Sequence, residues 1–222
     1  MLITKNAALV FSRIVVSCLP LKDELFGKEQ QGLIKNLKSE DKIDLKEFAK
    51  VFLLEKETYQ DIVKFAKSLG KNLVDRDMVL EFFGGRPHLQ KIVRQIRNQI
   101  HGKKLAQQFL FAHILIPVEI VSAGEKLSGI YRNGNSEFSV KNLVPFPEDA
   151  AMSVGQKVLV HYAAVITTEF DRATEEKILK DQANQEEFIS ACEHLGEIDY
   201  SKFMNLCEGT QTVVKNWRFK VS

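Results

Sequence analysis

The stretch SGIYRNGNSEFSV, residues 128–140, decides the fold class of this chain. Two runs rich in β-branched and aromatic residues flank Asn133-Gly134-Asn135, and an Asn-Gly pair between such runs is a strong signal for a β-hairpin. Similar runs follow on both sides, ILIPVEIVSAG at 114–124 and QKVLVHYAAVITT at 156–168. Short strands separated by tight turns over about 60 residues predict a small β-barrel rather than a layered sheet.

Helical patterns surround these strands. Up to about residue 108, apolar residues recur at spacings of three and four, which is typical of one buried face on each helix. The pattern returns after residue 170. We therefore predict an α+β protein with three parts: a helical domain at 1–108, a small OB-like barrel with its C-terminal helix at 109–182, and a helical tail at 183–222. The run TVVKNWRFKVS, residues 212–222, is a candidate final strand.

Local signals predict where several helices begin. Asp44 followed by Glu47 has the form of a capping box, and Asn184 followed by Glu187 resembles another. Asp199 is expected to cap a further helix. Pro87, after Gly84 and Gly85, suits the first turn of a helix that ends near Gly102.

Composition favours a protein of the cytoplasm and gives no default partner. The 31 basic and 29 acidic side chains leave a net charge of +2, too small to indicate nucleic acid by field strength alone. The three cysteines, Cys18, Cys192 and Cys207, are odd in number and widely spaced, so no disulfide framework is indicated. No apolar run approaches the roughly 20 residues that cross a membrane.

Sequence signatures of catalysis are absent. The chain contains no G-x-S-x-G, no phosphate-binding G-x-x-x-x-G-K-[ST], no H-E-x-x-H and no G-x-G-x-x-G. The acidic pairs Glu175-Glu176 and Glu186-Glu187 lie in helical patterns typical of solvated surfaces. We therefore predict that the protein is not an enzyme and has no cofactor.

A basic segment gives the alternative prediction, which is nucleic-acid binding. Its side chains are Lys91, Arg94, Arg97, Lys103 and Lys104. Beside a barrel face, such a segment could bind phosphates, and the affinity would fall steeply with salt. The same residues also suit the solvated side of an amphipathic helix.

The segment from about Ala112 to Leu179 resembles the HypC/HupF family of hydrogenase maturation chaperones. Gly155, Val158, Leu159, Val160 and His161 reproduce the family's Gly-x-x-Val-Leu-Val-His stretch, and a small-residue step and an acidic helix follow. Pro117 stands where the family has a proline after its cysteine. The resemblance implies a small barrel with a C-terminal helix, and a non-enzymatic accessory or adaptor function through binding of a protein partner.

The resemblance also implies a site. In that family a cysteine and the histidine of the Val-His motif hold an iron cargo and contact the partner. Here His113 takes the cysteine position, so His113, Pro117 and His161 are the predicted partner-binding residues. His113 and His161 are the candidate iron ligands. The implied partner is a hydrogenase precursor or a maturation scaffold.

Two other interpretations stay open for this segment. Strand alternation puts Leu159, His161 and Ala163 on one face, so His161 is also consistent with a buried strand-end residue bonded to the protein itself. The barrel fold alone would also suit a sensor of a small ligand.

Overall fold

A helical N-terminal region, a closed five-stranded β-barrel and C-terminal helices make up the fold, which confirms the predicted α+β class. None of the helices in the part of the chain that is described has the length and apolarity needed to cross a membrane. The computed structural model describes residues 1–18, 32–33, 41–52, 54, 56–99, 103–124, 126–146, 151–193 and 195–200.

The N-terminal region packs helices around a three-stranded sheet. In the sheet, β1 (Leu2–Thr4) lies between antiparallel β2 (Lys42–Asp44) and parallel β3 (Leu73–Val74). The helices are α1 (Lys5–Cys18), α2 (Leu45–Val51), α3 (Lys56–Ser68) and α4 (Arg76–Gly84). The predicted cap of α2 is confirmed, because the Asp44 carboxylate accepts hydrogen bonds from the backbone N–H groups of Lys46 and Glu47.

Two further helices lead into the barrel, α5 (Arg86–Gln99) and α6 (Lys103–His113). Pro87 lies in the first turn of α5, as predicted. A backbone N–H in the first turn has no partner within the helix, so proline loses no helical hydrogen bond there. The apolar face of α5 is buried through Leu89, Ile92 and Val93. The predicted end of this helix at Gly102 lies outside the described residues.

The barrel consists of β4 (Ile116–Ala123), β5 (Leu127–Asn133), β6 (Ser136–Pro145), β7 (Lys157–His161) and β8 (Ala164–Thr167). The strands follow the order β5-β4-β7-β8-β6, and pairing of β5 with β6 closes the cylinder. All neighbouring pairs are antiparallel except β6 with β8. Because the sheet is closed, each of these five strands pairs with a neighbour on both sides.

The predicted hairpin joins β5 to β6. Asn133 pairs with Ser136, so the connection is the two residues Gly134 and Asn135. Gly134 has a φ of +57°, a conformation that glycine adopts without steric penalty. This local signal fixes the register of the longest strand pair in the barrel.

The C-terminal helices are α7 (Arg172–Ala183) and α8 (Glu186–Cys192), and β9 (Glu197–Asp199) follows. Asp199 is the last residue of this strand, which is parallel to β6, and its carboxylate accepts a hydrogen bond from the Asn142 amide. The helix that Asp199 is predicted to cap would extend into residues outside the described part, so this cap stays a prediction. The candidate final strand at 212–222 lies outside the described residues.

Two buried clusters cross the predicted domain boundary at residue 108. The first contains the cores of α1 and α4 together with Leu115, Leu159 and Ile166 from the barrel side. The second fills the barrel and also contains Leu89 and Ile92 of α5. The helical region and the barrel therefore share apolar cores, while the boundaries at 108 and 182 stay predictions.

Candidate functional site

A pocket lies where the helical region meets the turn end of the β7–β8 hairpin, and we call it the junction pocket. Its volume is about 320 Å³, near the lower end of the roughly 300–1,000 Å³ of small-molecule sites. Seven of its described lining residues are apolar and six carry a polar group. The described lining residues are Phe11, Ile14, Val15, Leu54, Thr58, Phe83, His88, Lys91, Ile92, Gln95, Phe109, His113 and His161.

His161 lies at the inner wall of the junction pocket, at the end of β7. Only 1% of its surface is exposed, and its Nδ1 is hydrogen-bonded to the Ser17 hydroxyl of α1 at 2.8 Å. Burial lowers the pKa of His161 well below its ordinary value, the nearby His113 and His88 rings add to this, and a hydrogen bond with the His113 backbone opposes it. The side chain is therefore uncharged at neutral pH, and nearly all of its surface is covered by the protein.

A tight turn holds His161 in this position. Tyr162 and Ala163, which follow it, have φ angles of 54° and 79°, although neither is glycine. His161 pairs with Ala164 across the turn. Left-handed backbone costs about 1–2 kcal/mol for each residue with a side chain, so the packing around Tyr162 and Ala163 must offset this.

The structure brings His113 to the same pocket but not Pro117. His113 is the last residue of α6, where its Nδ1–H donates to the Phe109 carbonyl at 2.8 Å and its ring stacks on Phe109. Pro117 is buried in β4, and its partner across the strands is Leu159. Among the described residues, Pro117 is not part of the pocket wall.

His88, on α5, is a residue of this pocket that the sequence analysis missed. Its Nε2–H donates to the His113 carbonyl at 2.9 Å, and it packs against Phe82 and Phe83. Its Nδ1 is buried and has no hydrogen-bond partner among the described residues. Burial lowers the pKa of His88 to about 3, so the ring is neutral and Nδ1 carries a lone pair. The available signal was spacing, because His88 stands on the same helical face as Ile92.

Lys91 also belongs to the pocket, where the sequence predicted a phosphate contact. Only 10% of its side chain is exposed, its ammonium donates to the Thr58 hydroxyl at 3.0 Å, and the exposed Glu57 carboxylate lies 4.0 Å away. α3 therefore covers a position that the sequence pattern placed in solvent. The long carbon stem packs with the apolar wall, which is how lysine is commonly accommodated near a core.

The other predicted nucleic-acid contacts do not form one free basic surface in the described structure. Arg97 makes an ion pair with Glu187 of α8. Arg94 is exposed, and its Nε donates to the Gln90 carbonyl of its own helix. Lys103 and Lys104 begin α6, and their side chains lie outside the described part.

The candidate iron ligands share the pocket without a wider ligand set. Within the described ranges, no group of three or more His, Cys, Asp or Glu side chains is arranged to hold a metal ion. The Nδ1 atoms of His113 and His161 are already bonded to Phe109 and Ser17. The prediction of an iron site therefore has only the His113 and His161 side chains as candidate ligands among the described residues, and it stays a prediction.

Comparison with known proteins gives no relative: no family model, no curated protein and no solved structure matches this chain. The resemblance to the hydrogenase maturation chaperones therefore stays a prediction. Contacts, burial and charge in the junction pocket are the basis on which a function is assigned.

Proposed function

We propose that the protein is a non-enzymatic accessory protein that holds a small ligand in the junction pocket. The observation that carries this proposal is the pocket wall, in which seven apolar side chains stand beside six that carry polar groups. Small-molecule sites likewise combine an apolar lining with polar groups that fix the ligand's orientation. The site also lies between two parts of the fold that share buried cores. A bound ligand would contact α1, α5 and the end of β7 together.

The histidine chemistry supports binding rather than catalysis. General acid–base catalysis works best when the pKa of the catalytic group lies near the working pH, and burial moves the pKa of both His88 and His161 far below it. The Ser17–His161 contact resembles a nucleophile with its base. However, Ser17 is 0% exposed, and its hydroxyl donates to the Ile14 carbonyl. A substrate carbonyl has no path to that oxygen in this conformation.

Filling the junction pocket is expected to abolish binding of a small apolar probe. N-phenylnaphthylamine is uncharged and becomes fluorescent in apolar sites. We expect saturable fluorescence with the wild type and none with Val15→Trp. Val15 is a half-buried lining residue, so the larger indole side chain at this position would extend into the cavity and fill it. The measurement is a fluorescence titration with both proteins at equal concentration.

Val121→Trp is the matched control for this experiment. Val121 is 41% exposed on β4 and does not line the junction pocket. The control variant should bind the dye as the wild type does, and both variants should keep the wild-type melting temperature. Equal dye binding by the wild type and Val15→Trp would contradict the proposal.

A protein partner bound through the barrel is the second candidate function. Val121 and Val154 are 41% and 67% exposed on neighbouring segments, since Ile120 and Gly155 are joined by a backbone hydrogen bond of 2.8 Å. Adjacent exposed apolar side chains favour a contact surface more than isolated ones do. The resemblance suggests a hydrogenase precursor or a maturation scaffold as the partner.

Charging this barrel surface is expected to remove the partner. Affinity purification of the tagged protein from its native host should recover a specific protein with the wild type and not with Val154→Glu. Leu69→Glu is the control, because Leu69 is also exposed (42%) but belongs to the helical region. Recovery of the same protein with Val154→Glu would exclude this surface.

Nucleic-acid binding has less support than either candidate. Lys91 is buried, Arg97 is paired with an acid, and the polar groove beside them also carries Glu57 and Asp61. Carboxylates beside the cations reduce the field that would attract phosphates.

The proposed location is the cytoplasm. Cys192 is a buried free thiol, and burial raises its pKa to about 12. Such a thiol is unreactive and serves packing, which suits a compartment where disulfides are not used.

A further inference from the structure

We propose that the junction pocket binds an uncharged aromatic molecule with a hydroxyl group, which donates to Nδ1 of His88 while the rings lie against the phenylalanine side chains of the wall. This proposal rests on the function proposed above and names the class of ligand. Three features of the pocket carry it: a buried acceptor at His88, a cation that the protein already holds, and an apolar wall rich in aromatic rings.

The acceptor is the lone pair on Nδ1 of His88, a side chain that is buried in the pocket wall. Nε2 lies 2.9 Å from the His113 carbonyl, which can only accept, so Nε2 carries the proton of the neutral ring and Nδ1 does not. Nδ1 is buried and has no partner among the described residues. Buried polar atoms are rarely left unpaired, so this atom calls for a donor.

The ligand is uncharged because the protein already holds the formally charged side chain of the described wall. The ammonium of Lys91 donates to the Thr58 hydroxyl at 3.0 Å and lies 4.0 Å from the Glu57 carboxylate. An anionic group on the ligand would have to displace these contacts, and a cationic group would meet a like charge. An uncharged hydroxyl leaves the contacts of Lys91 in place and still supplies the proton that His88 lacks.

The apolar part of the wall favours an aromatic body. Phe11, Phe83 and Phe109 are three of its seven apolar residues. Aromatic rings in offset or edge-to-face contact gain more than their buried area alone provides. An apolar cavity of roughly 150 Å³ accommodates one benzene molecule, so the junction pocket, at about 320 Å³, has room for two fused rings.

The acceptor and the aromatic wall are direct neighbours. The ring centroids of His88 and Phe83 are 4.9 Å apart, and both residues line the junction pocket. A ligand ring that packs on Phe83 therefore lies close to His88, and a hydroxyl attached directly to that ring suits this short distance. The ligand class is accordingly a phenol with a body of about two rings.

Competition against N-phenylnaphthylamine tests this ligand class at neutral pH, where a phenol keeps its proton. The competitors share a naphthalene body: 2-naphthol donates a proton, 2-methoxynaphthalene has methyl in its place, and 2-naphthoate is an anion. We expect 2-naphthol to displace the dye at about two- to tenfold lower concentration than 2-methoxynaphthalene, the scale of one net hydrogen bond. 2-Naphthoate should be weaker than 2-naphthol, because it offers no proton and brings a charge into a buried site.

His88→Phe assigns the preference to one residue. This variant keeps an aromatic ring beside Phe83 but has no lone pair, so the preference for 2-naphthol over 2-methoxynaphthalene should disappear. The two competitors are compared within each protein, so a changed affinity for the dye does not affect their ratio. If the variant fails to fold, the same two competitors on the wild type still test the donor.

The outcomes separate the ligand class from the proposed function. Equal displacing concentrations of 2-naphthol and 2-methoxynaphthalene on the wild type would mean that Nδ1 of His88 takes its proton from water, and the ligand class would be wrong. Stronger displacement by 2-naphthoate, or an unchanged preference in His88→Phe, would also overturn it while leaving the proposed function intact. Absence of dye binding would instead overturn the proposed function.

Discussion

Replacing Gln182 by leucine is expected to lower the free energy of unfolding by about 3–5 kcal/mol, because three buried groups each lose a hydrogen bond at roughly 1–3 kcal/mol. The total lies toward the low end because the Tyr131 hydroxyl still accepts a hydrogen bond from the Asn133 amide. Gln182 is 0% exposed on α7. Its amide N–H₂ donates to the Gly84 and Leu115 carbonyls, and its oxygen accepts from the Tyr131 hydroxyl, each at 3.0 Å. Leucine has a similar size but offers no polar atom. Urea denaturation of the two proteins measures the difference.

Gln90→Leu is the matched control, because Gln90 is exposed on α5 and the same exchange there removes no buried bond. Its free energy of unfolding should stay within about 0.5 kcal/mol of the wild type. Tyr131→Phe should be intermediate, since it leaves Gln182 with both carbonyl partners. A loss below about 1 kcal/mol in Gln182→Leu would show that the three partners are satisfied by water instead.

Gln182 also shows where sequence analysis stops. Its partners Gly84, Leu115 and Tyr131 are 98, 67 and 51 residues away along the chain. They come from the end of α4, the approach to β4 and the middle of β5. No local pattern in α7 distinguishes a glutamine that joins these elements from one in solvent.

Features set by neighbouring residues were predicted correctly. The Asp44 cap, Pro87 in the first turn of α5 and the Asn133-Gly134 hairpin are all confirmed. Each depends on backbone geometry within a few residues, so the sequence contains the whole cause. The capping box at Asn184 is the exception: α8 begins at Glu186 with Gln185 as its cap, and no side-chain bond closes it.

Features of the site could not be predicted in the same way, because they depend on which helix or strand covers each side chain in the folded protein. Alternation along β7 left open that His161 is buried and hydrogen-bonded to the protein, and the structure shows this arrangement. Its partner Ser17, however, lies 144 residues away along the chain. Lys91 fits the solvated face of an amphipathic helix by periodicity, yet α3 covers it. A helical period gives the direction of a side chain around its own axis and not the neighbour that it meets.

Acidification from about pH 6.5 to about pH 5 is expected to lower the free energy of unfolding by about 1.6 kcal/mol through His88 alone, because the slope rises from about half of 1.4 kcal/mol per pH unit at pH 6.5 to nearly the full value at pH 5. The pKa of His88 is about 3 in the folded protein, against an ordinary value of 6.5. In this window the unfolded chain therefore takes up a proton that the folded protein does not, so stability falls as the pH falls. His161 shifts its pKa in the same direction and adds to the loss. Urea denaturation at several pH values measures the slope.

His88→Phe separates this effect from general acid sensitivity. Phenylalanine suits a position packed against Phe82 and Phe83, and it does not titrate. Its slope between about pH 6.5 and about pH 5 should be smaller than that of the wild type by about 1 kcal/mol per pH unit on average, because the unfolded histidine is only half protonated at about pH 6.5. The remaining slope should fall again in a double variant that also removes His161. Stability that stays constant over this window in the wild type would mean that His88 and His161 accept protons in the folded protein. The two histidines would then be hydrated and charged rather than dry and neutral, because a buried imidazolium needs water or an anion beside it.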